Sequence, residues 1–535
     1  MPRTILLLSG PMCAGKTEFG TALIGRFPNR VFRFKTHEWI RERTKVAVER
    51  RMLQGAGESL DRRTRGRWIR DDLARDITSL PDDCIVLVDS VRIKDQIDRV
   101  REGFGHVVTH VHLTAPREEL ARRFRRRRGP VQEGVSFRRA SSDKTERAIE
   151  GLAAVADLVV DTKRSSSQDV AIRVASHIGL LGDRHERLVD VLVGGQYGSE
   201  GKGQIAAYLA PEYQVLVRVG GPNAGHSVFG YPPRKFYHLP AGTDANEDAQ
   251  VILGPGAVLH AEDLLNEIRQ SRLTRGRLFI DPQAMIIEAK DRKFEERLKK
   301  SIGSTGQGVG AATARKVLRE SWGGRVRLAK HASELAEFIR ETASVLDDAF
   351  ADGKRVLLEG TQGTGLSLHH GFYPHVTSRD TTAAGCLAEA GIAPGRVRRT
   401  LLVCRSYPIR VQNPKRGSSG HMSRELSWAE IARRCDHSAR ELRRNEKTTT
   451  TKRRRRVAEF DWALFHRSIA LNGPTDVALT FADYIGHGNQ NARRFEALNP
   501  ETLLFVEEME RVASAPVSLV ATRFHFRSII DRRSW

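Results

Sequence analysis

Two glycine-rich segments carry lysines at spacings that suit phosphate chemistry. The first, GPMCAGKT at residues 10–17, has the spacing G-x-x-x-x-G-K-T and follows an apolar run at residues 5–8. Gly10 and Gly15 let backbone N–H groups wrap phosphates, Lys16 neutralises β/γ oxygens, and the Thr17 hydroxyl is placed for Mg²⁺. Asp89 ends a second apolar run, residues 85–88, and is placed to support that metal; the plain alternative is an ordinary strand-end aspartate. The other segment, GGQYGSEGKGQ at residues 194–204, follows VDVLV and stands where a helix should open. By itself it says only that phosphate could bind at a helix N-terminus. Arginine runs at residues 125–128 and 453–456 add guanidinium clusters, which grip phosphate or carboxylate bidentately or simply form solvated faces.

These residues need elements to hold them. Apolar runs at 5–8, 85–88, 106–115 and 156–162 read as buried strands, and residues 169–181 have helical spacing. Strands separated by helical stretches predict an α/β fold with a doubly wound parallel sheet. SSSQ at 165–168 is followed by a helix, so GDRHER at 182–187 is the better boundary. The expected organisation is a P-loop domain over residues 1–183 and a larger α/β domain over residues 188–535.

The chain has 535 residues, with 88 Lys+Arg against 65 Asp+Glu and a formal charge of +23. Of the basic residues 70 are Arg and 18 Lys, a skew that base composition alone could produce. The charge admits nucleic acid as a partner but equally suits phosphorylated small molecules. No stretch approaches the roughly 18 apolar residues of a membrane span, and the five cysteines have no metal-ligand spacing. Membrane, secreted and disulfide-stapled classes are excluded, and a cytoplasmic enzyme is expected, in a host's cytoplasm if a phage encodes it.

The first segment resembles the P-loop nucleoside and nucleotide kinases through its P-loop, DSVR at 89–92, an Arg-rich lid-like stretch at 122–128, and ADLVVDT at 156–162. The resemblance implies phosphoryl transfer by Lys16, Thr17 and Asp89. Arg41 and Arg43 are weak candidates for holding the acceptor. The acceptor expected from the fusion is a nucleoside monophosphate made downstream of the second segment's product.

In the second segment GGPNAGHS (220–227), HLPAGT (238–243), GSTGQGVG (303–310), LEGTQGTGLSLHHGFYPHVTS (358–378) and TTTKRRRR (449–456) follow one another in order. Together with the glycine-rich loop they resemble the adenylosuccinate synthetase family over almost all of residues 188–535. The resemblance implies a two-step ligation: an NTP phosphorylates O6 of a purine nucleotide, and the amino group of L-aspartate then displaces the phosphate. It implies His226 and Lys202 as catalytic groups and Gly198, Glu200, Gly201, Lys202 and Gly203 around the NTP phosphates. Asn223, Thr305, Arg319, Gln362 and Thr377 would hold the purine nucleotide, with Arg319 donated across a homodimer interface. Thr450, Arg453 and Arg455 would hold aspartate, and Mg²⁺ would rest on the Gly225 carbonyl and position 199.

Two departures from the family pattern bear on substrates. Its G-D-E-G-K-G motif has an aspartate where this chain has Ser199, a poor proton acceptor near neutral pH. Serine there resembles the phage branch of the family, which acts on dGMP and makes N6-succino-2-amino-2'-deoxyadenylate. The family's T-K-x-D, whose Lys and Asp read guanine, is Thr480-Phe481-Ala482-Asp483 here. The expectation is therefore a ligase using dGMP, aspartate and ATP or dATP, fused to a kinase. Its alternatives are an ordinary synthetase using IMP and GTP, or a basic nucleotide-sensing or nucleic-acid-associated protein.

Overall fold

The computed structural model describes residues 2–28, 30–46, 50–126, 137–141, 144–181, 186–319, 326–415, 417–447 and 453–534. The chain divides into two compact units, Met1–Leu181 and Gly182–Trp535. Each is α/β.

The first unit is built on five strands: β1 (Thr4–Ser9), β2 (Val31–Lys35), β3 (Ile85–Asp89), β4 (Val108–Thr114) and β5 (Leu158–Asp161). Their order is β2-β3-β1-β4-β5 and every pair is parallel. Both faces of such a sheet are covered by helices, so central strands are apolar throughout. Accordingly, Leu6 and Leu8 of β1 pack with Phe19, Leu23, Val170 and Val174 on one side. Ile5 and Leu7 pack with Trp68, Ile69, Val86 and Val88 on the other. Four of the five strands are legible in the sequence. The fifth, β2, reads VFRFK; as an edge strand it alternates apolar and basic residues and leaves no unbroken apolar run. Ser166 caps the helix Ser167–His177 through a capping box with Asp169.

The second unit carries a nine-stranded sheet with β6 (Val189–Gly194) at its centre. On one side lie Val356–Glu359, β7 (Val215–Arg218), Gln250–Leu253 and Leu278–Ile280; on the other, Val397–Arg405, Asp476–Thr480, Val517–Ala521 and Ile529–Asp531. All pairs are parallel except the last, which is antiparallel. In β6 one polar residue, Asp190, points into the interior, where Tyr213 Oη donates to it at 2.6 Å and Arg398 Nε at 2.9 Å. A small antiparallel sheet of Ile409–Val411, Arg455–Ala458 and Glu425–Leu426 carries part of the arginine run. The carboxyl ends of β6, β7, Val356–Glu359 and Asp476–Thr480 place Gly194, Arg218, Glu359 and Thr480 along one edge, where open α/β sheets hold ligands. No helix among the described residues is long and apolar enough to cross a membrane.

Candidate active sites

In the second unit the glycine-rich loop leaves β6 at Gly194 and enters the helix Lys202–Leu209. Gly198 and Gly201 hold left-handed φ angles of 91° and 80°, open to glycine at little cost. Gly203 is required for a different reason: a Cβ there would lie 2.8 Å from Cβ of His226. The Lys202 ammonium is buried and sits 2.7 Å from Glu200 Oε2. Glu200 Oε1 accepts the backbone N–H groups of Gln196 and Gly198 at 3.0 and 2.7 Å. Any contact of Glu200 with phosphate therefore falls to its backbone N–H, since the side chain is already engaged. Its carboxylate shapes the loop from inside and orients Lys202; an anion turned toward phosphate would repel it. Ser199 is half-buried, and its carbonyl accepts from Arg405 Nη1 at 3.3 Å.

His226 opens the short strand His226–Val228 and donates from Nδ1 to Glu359. That carboxylate also receives Arg218 Nη1 at 3.1 Å and the Ala241 N–H at 2.6 Å. The sheet register puts Arg218 and Glu359 side by side at the ends of adjacent parallel strands. Burial, with Arg218 adding to it, pushes the His226 pKa down to about 4 despite Glu359. Burial opposes ionisation of Glu359, but His226 and Arg218 hold its carboxyl below the ordinary value. The ring is thus neutral near pH 7, oriented by a carboxylate, with Nε2 buried and unpartnered. A proton reaching Nε2 would create an imidazolium facing Glu359, an arrangement that suits general acid–base work or stabilisation of a developing oxyanion.

Two of the expected purine-nucleotide groups meet directly: Asn223 Nδ2 donates to Thr377 Oγ1 at 3.1 Å. Asn223 Oδ1 and Gln362 Nε2 are buried without partners, so both have capacity for a ligand. Gln362, at φ 58°, packs against the phosphate loop; its carbonyl would lie 2.6 Å from a Cβ on Gly194. Thr305 is half-buried on the loop that Gly310 brings against Ser378. The Gly225 carbonyl stands one residue before His226. Arg319 is exposed beyond the helix Val309–Val317. Of the aspartate loop, Thr450 lies outside the described residues, while Arg453 is half-buried.

Arg455 belongs to a buried network absent from the sequence expectations. Its Nη1 donates to Glu446 Oε2 at 3.0 Å, and Arg405 Nη2 and Tyr484 Oη meet Glu446 Oε1 at 2.9 and 3.0 Å. Burial opposes ionisation, yet the two guanidinium groups draw the Glu446 carboxyl down to about 2. Arg405 also lies 3.9 Å from the ring centroid of Phe481. Phe481 reaches the phosphate loop, with Cε2 3.5 Å from a Cβ placed on Gly201. Asp483 is buried, accepts from His437 Nε2 at 2.9 Å, and keeps Oδ1 without a partner. Arg456 is tied to Glu425, Ser419 and Gly420, so that part of the basic run is structural. Glu359, Arg218, Arg405 and Glu446 were missed because each acts through a partner distant in sequence.

In the first unit the helix α1 (Lys16–Arg26) starts from Gly15, at φ 93°. Lys16 Nζ curls back to the carbonyls of Gly10 and Pro11, and burial pushes its pKa down to about 8. Thr17 lines the same cavity, which measures about 1040 Å³. Asp89 lies at the end of β3 beside the loop, but Arg33 of the unforeseen β2 takes its carboxylate. The expected metal role of Asp89 must therefore share with, or open, that pair. Arg123 ties the lid-like helix to the loop, donating to Cys13 O at 3.3 Å and Thr162 Oγ1 at 2.9 Å. Arg127 and Arg128 lie outside the described residues. Arg43 is corrected from an acceptor ligand to a structural residue, since both its bonds go to Asp72, at 2.7 and 2.8 Å.

Known proteins match the second unit. The family model for adenylosuccinate synthetase matches residues 191–327 and 325–490. The adenylosuccinate synthetase of Methanocaldococcus jannaschii is 36% identical over 354 residues, which is 64% of this chain and 96% of that protein. That of Thermococcus onnurineus is 37% identical over 356 residues, 64% and 98% of the two chains. Among solved structures, fully ligated adenylosuccinate synthetase from Plasmodium falciparum superposes with a TM-score of 0.57 at 21% identity, covering 65% of this chain and all of that one; it speaks to the fold. Succinoaminodeoxyadenylate synthetase of cyanophage S-2L, bound to dGMP and to dATP as energy donor, gives a TM-score of 0.54 at 29% identity over 65% of this chain and 96% of that one. With the phosphate loop, the His226–Glu359 pair and the purine-side groups on one sheet edge, the chain belongs to the adenylosuccinate synthetase family.

Proposed function

We propose that the second unit joins L-aspartate to C6 of dGMP, giving N6-succino-2-amino-2'-deoxyadenylate, with an adenine nucleotide as phosphoryl donor. The observation that carries this reading is Ser199, a small uncharged side chain on the phosphate loop beside the buried His226–Glu359 pair. A serine leaves room and neutrality beside the purine edge where an aspartate would demand a proton from it. The likeness to a cyanophage enzyme holding dGMP and dATP supports the same reading. So does Phe481 in place of a lysine at the nucleotide-base end, where Arg405 lies against its ring.

In this reading Lys202 and the Gly201 and Gly203 amides receive the NTP phosphates, with Glu200 holding the loop open. His226 Nε2 faces the transferred phosphoryl group and O6, while Glu359 and Arg218 fix the ring. Asn223, Gln362, Thr305 and Thr377 position the purine nucleotide, and Arg319 does so from a partner in a homodimer. Arg453 and Arg455, with Thr450, receive the two aspartate carboxylates. The Ser199 hydroxyl and the Gly225 carbonyl are hard neutral oxygens; they suit Mg²⁺ when phosphates supply the charge, and the ion would neutralise the transferred group. The first unit is read as a P-loop phosphotransferase using Lys16 and Thr17, so that the chain is bifunctional.

The test is kcat/KM for dGMP, GMP and IMP with aspartate, Mg²⁺ and each NTP. The expected order puts dGMP first and ATP or dATP above GTP; a higher kcat/KM for IMP would remove the dGMP assignment. Ser199→Asp should lower turnover of dGMP on the order of 10-fold or more, as a misplaced charge beside the reacting purine would. Unchanged dGMP kinetics in that variant would sever Ser199 from purine choice.

A further inference from the structure

The cavity of the first unit extends well past the phosphate loop. Its nucleotide side is lined by Gly15, Lys16, Thr17, Arg123 and Thr162, and its far side by the helix Arg50–Thr64, through Leu53, Gln54, Gly57, Glu58 and Asp61. Gly57 lets that helix close on Ile40, since a Cβ there would come within 3.2 Å of Ile40 Cδ1.

That far side keeps unused hydrogen-bonding capacity on Asp61, beside the buried and unpartnered Nε of Arg33. Its cations are already engaged: Arg33 with Asp89, Lys35 with Glu38 at 3.1 Å, and Arg92 as well. Asp61, by contrast, is fixed but unfilled. Trp68 Nε1 and Gln96 Nε2 both donate to its Oδ1, at 2.7 and 2.9 Å, and Oδ2 has no donor among the described residues. Gln96 in turn accepts the Arg92 N–H at 2.8 Å, which ties Asp61 to the turn that follows Asp89. A carboxylate held this way asks for a donor from its ligand and repels a second anion. A monophosphate acceptor would bring a dianion against that carboxylate.

We propose that the first unit phosphorylates a neutral hydroxylated acceptor, such as a nucleoside or a sugar-like alcohol, whose N–H or O–H group is read by Asp61. The proposal rests on the phosphotransferase reading of the same cavity. In the step, the acceptor hydroxyl oxygen bonds to the γ-phosphorus of a nucleoside triphosphate and the β,γ-bridging P–O bond breaks. The nucleoside diphosphate leaves, and the hydroxyl proton is released to solvent. With a nucleoside as acceptor the product is a nucleoside monophosphate, the class of substrate that the second unit's family consumes.

The experiment uses the full chain with ATP and Mg²⁺. One arm offers 2'-deoxyguanosine, 2'-deoxyadenosine and thymidine; a second offers hexoses and cyclitols; a third offers dGMP, dAMP and dTMP. Phosphorylated product is measured, with Lys16→Ala as the blank. Transfer to a member of the first or second arm is expected, with Asp61→Asn raising KM for that acceptor at least 10-fold. ATP affinity, melting temperature and ligase turnover of the variant should stay unchanged. Preference for the monophosphates, or an Asp61→Asn enzyme with unaltered acceptor KM, overturns the inference while Lys16-dependent transfer keeps the phosphotransferase reading alive. Absence of Lys16-dependent transfer to every arm overturns both.

Discussion

His226 reaches its carboxylate through Nδ1 and leaves Nε2 buried and unpartnered, so the catalytic proposal depends on Glu359 as much as on the histidine. His226→Ala should lose on the order of 10²-fold or more in kcat with little change in nucleotide affinity, as when a general acid or charge-stabilising donor is removed. Glu359→Gln keeps size and one acceptor but presents an amide to Nδ1 and leaves Arg218 without its buried counter-ion. Its kcat should also fall on the order of 10²-fold or more, by loss of ring orientation and tautomer. Steady-state kinetics beside a melting curve decide the case. A Glu359→Gln enzyme that melts normally and turns over at the native rate would place Glu359 among purely structural residues.

The helix Lys202–Leu209 is held at its first turn by how closely it approaches the strand His226–Val228. Gly203→Ala tests that contact. Alanine favours a helix by up to about 1 kcal/mol over glycine, but here its Cβ would press on Cβ of His226. Propensity and clash oppose each other in stability, while the clash acts alone on the histidine. The melting temperature should therefore change little while kcat falls on the order of 10-fold. Equal kcat for Gly203→Ala and the native enzyme would mean that the loop and His226 are not mechanically linked. Other contacts of this kind, Gly194 with Gln362 and Gly195 with Cys404, explain why the loop is so rich in glycine: only some of its glycines serve a left-handed φ, and the rest serve contact.

For the molecule as a whole, buried histidines set a pH limit. Burial, chiefly, pushes His110 and His112 in the first unit and His226 in the second to about 4, and His238 to about 3. Their folded pKa values lie below the unfolded value near 6.5, so between these limits the unfolded chain binds more protons. Stability is then complete above pH 6.5 and falls as pH drops through that window, by up to about 1.4 kcal/mol per pH unit for each ring. Glu446, drawn down to about 2, adds its loss only below the ordinary carboxylate range. Calorimetry at pH 7 and 5.5 should show melting of both units shift downward. His238→Leu, replacing a ring whose two nitrogens have no partners, should flatten the loss in the second unit. Equal melting temperatures at the two pH values would refute the neutral-histidine account.

What residues 10–17 and the ordered motifs of the second unit determined by themselves was chemistry held in short stretches of chain. A phosphate loop needs adjacent backbone amides, and a buried parallel strand needs unbroken apolar residues; both can be read where they stand. The strand β2, with its alternating VFRFK, could not, because an edge position is a property of the sheet and not of the segment. The partners of the Glu200 and Arg43 side chains were hidden for the same reason: their types suited ligands, and only the fold shows that backbone amides, Lys202 and Asp72 engage them. Glu359 beside Arg218 exists only once strand register brings them together, and Glu446, just past the helix Ala439–Asn445, meets Arg405 and Arg455 only when strands of two sheets are brought to it. Charge pairing at about 3 Å is decided by which elements lie next to each other, and spacing along the chain carries no record of it.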